Sequence, residues 1–423
     1  MLQSFLVPFK NIDLKLNLIM SKELTYEMVQ SCVGGDSAAL RVTVELTPTA
    51  GPESKIFPPT YIGPNDRGKE VSGAYAKEER IVDGKRVLSV LLDSVGSQAN
   101  RMELALLSAV EENLIQIPLV RAESPEIGVI TSLEAPHRIA DAIFRDCLLD
   151  GVAFRDSDVG RAWTASNVKD ATSMFNYCPT ALLFGQWDST GLATGSGNRF
   201  QRNLVSEIVA HDVVEGVNVG GRKDPLEINT SVKVYKCSSL PVGWTCQEDE
   251  ADKDINGKPV LLEGGKPSEI NHGNIAPTIS HGGVTFSSAL HTSVISLAGL
   301  RKLRFPLNGK RNKDQENAAR VLLVALGLVA VNMQVKEGYD LRSRCQLRAK
   351  KKPTFEILGA IQGQDSEFDC NTDIAIDLFN KALSGCAASG MIWEKDPIIL
   401  SPSDSLKDAV KISSLAGRSD VED

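Results

Sequence analysis

The sequence predicts an α+β protein, a sheet domain interrupted by long irregular insertions. Leu40, Val42, Val44 and Leu46 alternate with polar residues, as in a half-buried strand. Residues 314–316 carry two acids and precede a strongly apolar stretch, and acids in a first turn favour a helix there. Strands and helices interleave, but long excursions separate them, which is the arrangement of an α+β domain with insertions.

The remaining elements are predicted from the same two periodicities. In chain order they are a strand at 87–92 after a hairpin turn at 83–84, a helix containing Met102 and Leu106, a helix at about 136–147, a strand at 181–184, a helix with Phe200, Leu204 and Ile208 on one face, a strand at 353–358 and a helix around Leu378. Residues 212–285 are predicted to be rich in loops and hairpins, and the residues beyond 396 to form a fraying tail.

Composition indicates an ordinary globular protein of the cytoplasm. Apolar residues make up 42% of the chain and charged residues 24%. None of the eight cysteines forms a CxxC pair, so neither a zinc site nor a disulfide framework is indicated. The apolar N-terminus is interrupted by charges, and the longest apolar run, 321–331, is shorter than the roughly 20 residues that span a bilayer.

Charge is distributed unevenly along the chain. The formal net charge is −8, but residues 301–352 contain 14 Lys and Arg against four acids, a local charge of +10. A basic segment on an acidic body is typical of a surface that faces a polyanion. A solvated helix face followed by a basic loop explains the same count, and composition alone leaves both readings open.

One segment matches the calcium-binding EF-hand loop in its letters. Asp252, Asp254, Asn256, Gly257 and Glu263 stand at the spacing of that loop. The loop also requires flanking helices, and prolines and glycines surround this segment instead. We therefore interpret the Asn-Gly pair as a tight hairpin turn.

Catalytic signatures are weak. The chain has five histidines, and His211 with Asp212 forms an isolated pair without metal-ligand spacing. No nucleophile elbow, HExxH motif or Cys-His signature is present in the sequence. A metal-dependent nuclease or hydrolase that uses His211 and Asp212, or the loop from Asp252 to Glu263, is kept as the alternative function.

Several polar strings suit contacts with a nucleic-acid backbone. The cluster Ser94, Ser97, Gln98, Asn100 and Arg101 lies where a strand meets a helix, so it can cap the helix, bind phosphate and ribose, or do both.

Glycines and arginines elsewhere allow two readings. Gly191, Gly195 and Gly197 precede Arg199 and Arg202, and we favour a flexible loop over a nucleotide pocket because the spacing fits no phosphate-binding fingerprint. Arg342 and Arg344 can act as planar phosphate forks. Aromatic residues are only 5% of the chain, so a base-stacking platform is not predicted.

An ordered series of strings carries the resemblance to a known family. They are SVGSQANRME at 94–103, PHRIAD at 136–141, LFGQWD at 183–188, RNLVSEI at 202–208, GNIAP at 273–277, GGVT at 282–285, GLRKLRFP at 299–306 and GYDLRSRC at 338–345. Over roughly residues 35–360 the chain resembles the Csb-one family, the Cas-seven backbone subunit of type I-G (formerly I-U) CRISPR Cascade effector complexes.

The resemblance implies an RRM-like (ferredoxin-like) palm with large inserted finger and thumb elements. Residues 1–34 would then be an N-terminal arm and 396–423 a flexible tail. Residues 35–395 would form the palm, with a finger-like insertion at 48–86 and a thumb-like, hairpin-rich insertion at 212–290.

The resemblance also implies a non-catalytic, cytoplasmic subunit that binds guide RNA (crRNA), oligomerises along it and presents it to target DNA. The implied partners are crRNA, target DNA, copies of itself, and other CRISPR effector subunits such as the large subunit and a Cas-five- or Cas-six-like subunit, with no membrane, metal or cofactor. Because guide sequences vary, contacts should go to phosphate and 2′-OH groups rather than base edges. The candidate RNA-binding residues are Ser94, Ser97, Gln98, Asn100, Arg101, His137, Arg138, Arg199, Arg202, Arg301, Lys302, Arg304, Arg342 and Arg344.

Overall fold

The computed structural model describes residues 22–64, 70–188 and 197–419 of the chain. Its strands are β1 (Lys22–Glu23), β2 (Ala39–Pro48), β3 (Thr60–Pro64), β4 (Glu70–Tyr75), β5 (Lys77–Val82), β6 (Lys85–Asp93), β7 (Val120–Ser124), β8 (Gly128–Thr131), β9 (Cys147–Leu149), β10 (Val152–Ala153), β11 (Gln186–Trp187), β12 (Arg199–Phe200), β13 (Leu204–Arg222), β14 (Tyr235–Lys236), β15 (Trp244–Thr245), β16 (Ile275–Ser296), β17 (Tyr339–Arg342), β18 (Cys345–Ala349), β19 (Thr354–Leu358), β20 (Ser366–Asp369) and β21 (Ile398–Pro402). Its α-helices are α1 (Tyr26–Gly34), α2 (Val95–Glu111), α3 (Ala142–Arg145), α4 (Asp158–Thr164), α5 (Thr172–Tyr177), α6 (Pro179–Phe184), α7 (Leu297–Leu300), α8 (Lys313–Glu337), α9 (Thr372–Ala388) and α10 (Asp404–Ser419).

A ten-stranded sheet organises the molecule, and the α+β prediction is confirmed. Its main path runs β1-β20-β19-β2-β16-β13-β6-β5, and β18 pairs with both β2 and β17. The four neighbours β19, β2, β16 and β13 are antiparallel at each contact. In the chain, α2 lies between β2 and β13, and α8 lies between β16 and β19.

The predicted strand at 40–46 and the predicted apolar helix are both confirmed. Leu40, Val42, Val44 and Leu46 are buried on one face of β2. Asn312 caps α8 by accepting hydrogen bonds from two backbone N–H groups of its first turn. By length and composition α8 could cross a membrane, but 89% of its apolar window is buried inside the protein.

Strands β12 and β13 replace the helix predicted through Phe200, Leu204 and Ile208. A spacing of four residues fits one face of a strand as well as a helix, because four is a multiple of the strand period of two. Ser206 occupies the buried position between Leu204 and Ile208 and hides the alternation, since it is polar yet hydrogen-bonded inside the core. The helix prediction was therefore wrong.

A long two-stranded ribbon extends from the sheet. Strands β13 and β16 stay paired as far as Arg222 and Ile275, well past the last pairing of β13 with β6 at His211 and Ser89. The segment predicted to be loop-rich therefore begins and ends with long strands, and the loops and short hairpins lie between residues 223 and 274.

Two short elements also differ from the prediction. Residues 181–184 belong to helix α6, not a strand, because Pro179 occupies its first turn and every residue from 179 to 184 is buried. The single helix predicted at 136–147 is a 3₁₀ turn at Arg138–Ala140, followed by α3 and then β9.

Both chain ends are more structured than expected within the described residues. The predicted arm contains α1, whose Val29 and Val33 are buried in the main core. The predicted tail contains β21, which pairs with β7 and β9 in a second sheet, and helix α10. Leu400 is fully buried in that sheet, so apolar burial fixes a segment that composition assigned to a tail.

Candidate nucleic-acid interface

A groove of about 600 Å³ gathers several of the candidate residues. It lies between the segment 136–145 and the β11–β12 strand pair. Residues 188–198 connect these two strands in the chain. Its wall is formed by Pro136, His137, Arg138, Ala140, Ala142, Arg145, Gly185, Gln186, Trp187, Asp188, Phe200, Gln201 and Arg202.

An exposed aromatic ring lies on this wall. Trp187 is 63% exposed, and the Arg199 guanidinium lies over its ring, 4.8 Å from the centroid. Trp187 and Arg199 face each other across the antiparallel β11–β12 pair, which fixes their relative position. Trp187 stands in the string LFGQWD, yet low aromatic content led us to expect no stacking surface.

Arg202 and His137 complete the exposed, basic side of the groove. The stem of Arg202 lies against Gly185, where an added Cβ would stand 2.8 Å from the Arg202 Cγ. Gly185 has a φ of +80°, so its backbone conformation also requires glycine. Of the predicted glycine loop, Gly191 and Gly195 lie outside the described residues.

One buried amide side chain, that of Gln186, lines the groove and is hydrogen-bonded to a second, that of Asn198. The Gln186 Nε2 donates to the Asn198 Oδ1 at 2.9 Å, and the Asn198 Nδ2 donates to the backbone carbonyl of Trp163 at 2.7 Å. The Gln186 Oε1 is buried and has no hydrogen-bond partner within the described part of the chain. Sequence reasoning missed Gln186, because a glutamine in a short string has no distinctive signal.

Arg138 lines the groove but is held by the core. Its Nε and Nη2 donate to the Glu103 carboxylate at 2.6 and 2.7 Å, and its Nη1 donates to the carbonyl of Gly185. Asp141, three residues further on, caps α3 by accepting from the Ile143 N–H and does not pair with Arg138. We therefore assign Arg138 a mainly structural role.

The cluster at the start of α2 is also largely structural. Ser94 caps the helix by accepting from the Ser97 N–H, and Gln98 is fully buried and donates to Asp93. Arg101 donates to Asp93 at 2.9 Å and to the backbone carbonyls of Asp340 and Leu341, so it fastens β17 to α2. Of the five predicted residues, Asn100 is exposed to solvent.

A second basic surface forms where the turn after β17 meets the ribbon. The Arg344 guanidinium stacks on the ring of Phe57, with 3.7 Å to the centroid, and Arg342 donates to the carbonyl of Pro58. Lys55 lies on the same ring and donates to the carbonyl of Val217 in β13. We call Lys55, Arg342 and Arg344 the ribbon-base patch.

The basic segment 301–352 does not form one face. Arg301 donates to the carbonyls of Cys32, Val33 and Ser37 and so holds the end of α1. Arg320 is buried beside Glu316 within α8. Neither a single polyanion surface nor a solvated helix face therefore describes this segment.

Six of the candidate cations have no acid partner in the part of the chain that the structure describes. Several exposed or half-buried arginines pair with acids, in the pairs Arg41–Glu356, Arg80–Glu207, Arg86–Glu79, Arg161–Asp158 and Arg311–Glu316. Across residues 22–64, 70–188 and 197–419, no acid within salt-bridge distance accompanies Arg199, Arg202, Lys302, Arg304, Arg342 or Arg344. Their positive charge is therefore available to an external anion.

The alternative catalytic residues are not assembled into a site. His211 is buried and hydrogen-bonded to Ser89 at 2.9 Å, and burial lowers the pKa of its imidazole. Asp212 is exposed and accepts from Ser287. Within the described residues, no group of three or more His, Cys, Asp or Glu side chains could hold a metal ion.

The EF-hand-like segment folds as the predicted tight turn. The Gly257 N–H donates to the carbonyl of Asp254, with Gly257 at a φ of +74°. The Asp254 carboxylate accepts from two N–H groups of its own turn, and the Asp252 carboxylate accepts from Ser238. These acids are turned to local hydrogen bonds rather than to a shared centre.

Comparison with known proteins gives one family match. Residues 40–215 match the family described as CRISPR-associated protein GSU0053. A solved chain described as a CRISPR RNA-guided surveillance complex, pre-nicking, is similar over 88% of this chain and 99% of that chain, with 10% identity and a TM-score of 0.30. At that TM-score the structural likeness carries no conclusion. No curated protein matches this chain.

Proposed function

We propose that this Cas-seven-like CRISPR-associated protein is a non-catalytic backbone subunit that binds guide RNA and presents it to target DNA. The observation that carries the proposal is the set of candidate cations without acid partners in the described chain, on the groove and on the ribbon-base patch. Unneutralised arginines at a surface are what a phosphate backbone requires.

The sheet order supports an RRM-like palm. In chain order, β2, β13, β16 and β19 are the first, second, third and fourth strands of a βαββαβ unit. In the sheet they are neighbours in the order β19-β2-β16-β13, which is 4-1-3-2. Helices α2 and α8 occupy the two helical connections of that unit. This is the ferredoxin-like arrangement that RRM domains share.

The insertions support finger and thumb elements. Between β2 and β6 the chain forms the β3–β4 pair and β5, within the finger-like segment 48–86. The ribbon of β13 and β16 projects from the palm within the thumb-like segment 212–290 and presents exposed Val219 opposite exposed Ile279. Such a ribbon is long enough to contact RNA or a neighbouring copy of the subunit.

The proposed partners follow from this role: crRNA, target DNA, further copies along the guide, and other effector subunits in the cytoplasm. A hydrolase built on His211 and Asp212 is not favoured, because adjacent strand residues point to opposite faces of a sheet. The buried and exposed states of these two residues agree with that separation.

Binding of labelled single-stranded RNA tests the proposal. We expect the purified chain to bind two RNAs of unrelated sequence with similar affinity, and the affinity to fall steeply as salt rises. Substituting Arg199, Arg202 and Arg344 together by alanine should weaken both RNAs equally. It should also reduce the slope of log affinity against log salt by about 0.7 for each phosphate that these arginines neutralise.

The matched control is a triple alanine variant of Arg86, Arg161 and Arg41, which are arginines paired with acids. It removes the same formal charge and should retain nearly the affinity of the wild type. The proposal fails if the wild-type chain does not bind RNA at low salt, or if both triple variants show the same reduction in affinity.

A further inference from the structure

We infer that the groove beside β11 and β12 is a subsite for one nucleotide of single-stranded RNA, with its base stacked on Trp187. The inference rests on the proposed function, because it takes RNA as the ligand. It goes further in naming an aromatic platform and an acceptor for the ribose, neither of which the sequence predicted.

The exposure of Trp187 is the first argument. A large aromatic side chain that is 63% exposed lies beside a groove of about 600 Å³, which is enough room for a nucleotide. Exposed apolar surface that lines a groove is a common mark of a binding site. Arg199 covers part of the indole and leaves the rest of the ring surface to a second planar group.

The platform is preorganised. The Gln186–Phe200 and Trp187–Arg199 pairs of the β11–β12 ladder hold the backbone on both sides of the ring, and Phe200 itself is buried. A ring that is already ordered loses little conformational entropy when a base stacks on it. Stacking accepts any base, so it suits a guide whose sequence varies.

Charge around the ring fits a phosphate. Arg202 lines the groove, is exposed and has no acid partner in the described part of the chain. His137 also lines the groove and is exposed. By contrast Arg145, also on the wall, is neutralised by both carboxylate oxygens of Asp146 at 2.8 Å. Arg202 is therefore the cation that we assign to the phosphate.

The unsatisfied oxygen of Gln186 favours ribose as the sugar. Gln186 is 7% exposed and lines the groove, and its Oε1 has no hydrogen-bond partner among the described residues. An unsatisfied buried acceptor gains from a bound donor. The 2′-OH of ribose is a donor that every RNA nucleotide carries and DNA lacks. The groove should therefore favour RNA over DNA without reading the base.

Tryptophan substitutions test the stacking. Binding of a short labelled RNA to W187A should be about ten-fold weaker or more, and W187F should recover part of the affinity because it restores an aromatic face. The matched control is W244A, since Trp244 lies in β15, outside the groove. RNA should also quench the indole fluorescence of the wild type and of W244F. In W187F, which lacks the indole on the groove, the quench should be much smaller.

A ligand-side experiment tests the ribose contact without altering the fold. RNAs carrying a single 2′-deoxy or 2′-O-methyl substitution are scanned along the sequence. At the nucleotide in the groove, removal of the donor should weaken binding to the wild type. The same substitution should have no effect on Q186L, whose melting temperature serves as the check that it is folded.

The outcomes separate this inference from the proposed function. If the wild-type chain binds no RNA, both fail. If it binds RNA and W187A binds as well as the wild type, only the stacking subsite fails. If the wild-type protein binds the unmodified RNA and every singly 2′-deoxy-substituted RNA with the same affinity, the inferred ribose contact is wrong. If Trp187 is instead covered by a protein partner, the indole fluorescence will be quenched by that partner, and added RNA will not displace the partner. That outcome also overturns the inference.

Discussion

Arg138 and Glu103 form a two-pronged ion pair in the interior of the protein. The Arg138 Nε and Nη2 lie 2.6 and 2.7 Å from the two carboxylate oxygens of Glu103, and both side chains are buried. The same guanidinium donates to the carbonyl of Gly185 and lies 5.5 Å from the ring centroid of Phe184. One residue therefore links α2, the end of α6 and the wall of the groove.

Removal of Arg138 should be costly. R138M leaves the buried Glu103 carboxylate without its charge partner, which typically costs about 3–5 kcal/mol of unfolding free energy. Burial raises the pKa of Glu103 to about 7 even with Arg138 beside it. In R138M only the hydrogen bond with Thr180 still favours the charged form of Glu103, so the variant should recover stability as the pH falls and Glu103 takes up a proton. Urea unfolding at pH 8 and pH 5.5 measures the recovery.

The control for this prediction is R138M combined with E103Q, which removes the unpaired charge and should be more stable than R138M alone at pH 8. R161A, at an exposed arginine paired with Asp158, should change stability by less than about 0.5 kcal/mol. Stability of R138M that is independent of pH would contradict the assignment of the charge to Glu103.

Gly185 should not tolerate a side chain. Its backbone has φ +80° and ψ 159°, a region that glycine alone populates readily, and an added Cβ would stand 2.8 Å from the Arg202 Cγ. We expect G185A to reduce the free energy of unfolding by about 2 kcal/mol or more in urea. G128A is the control, because Gly128 also has a positive φ, +71°, but faces open space. Equal destabilisation of both variants would show that the proximity of Arg202 contributes nothing.

The sequence predicted the parts of the fold that have a simple period. Strand β2 and helix α8 are recognisable because one buries alternate residues and the other carries a cap and a continuous apolar stretch. Strand β13 was missed because Ser206, a polar residue, occupies a core position. It is satisfied there by Gln98, His291 and Ser293, which are far apart in the sequence.

The candidate site shows the same limit. Arginine and polar side chains can be recognised in the sequence as candidates for RNA contacts. The sequence does not show which of them are already engaged in hydrogen bonds inside the protein. Arg101 and Arg138 are held by acids that precede them by eight and 35 residues, and Arg301 by backbone carbonyls near residue 33. Trp187 was overlooked because its ability to stack on a base depends on its exposure, which is a property of the fold.

Calcium should not stabilise the EF-hand-like turn. The Asp254 Oδ1 accepts from the N–H groups of Asn256 and Lys258 at 2.8 Å, and Asp252 accepts from Ser238. These contacts keep both carboxylates out of the geometry of a calcium loop. Addition of calcium at about 1 mM, the range of weak extracellular sites, should leave the melting temperature unchanged. S238A should lower it with or without calcium. A calcium-dependent rise that D254N abolishes would revive the metal site.

His291 should make the protein sensitive to mild acid. Its Nε2 lies 2.9 Å from the Ser206 hydroxyl and 3.0 Å from the Ser293 hydroxyl, and its Nδ1 lies 3.0 Å from the Tyr339 hydroxyl. Complete burial lowers the pKa of His291 from 6.5 to about 3. Below pH 6.5 the unfolded chain therefore binds a proton that the folded chain refuses, and stability falls as the pH falls towards 3.

The size of this effect can be isolated by a variant that cannot titrate. Between pH 6 and pH 4, His291 alone should cost the wild type roughly 2.5 kcal/mol of unfolding free energy. At pH 6, H291Q should be less stable than the wild type. From pH 6 to pH 4, however, the unfolding free energy of H291Q should fall by roughly 2.5 kcal/mol less than that of the wild type. H281Q, at an exposed histidine of the ribbon, should follow the wild type. Urea unfolding at the two pH values gives each difference, and parallel decreases in wild type and H291Q would mean that His291 is protonated in the folded state.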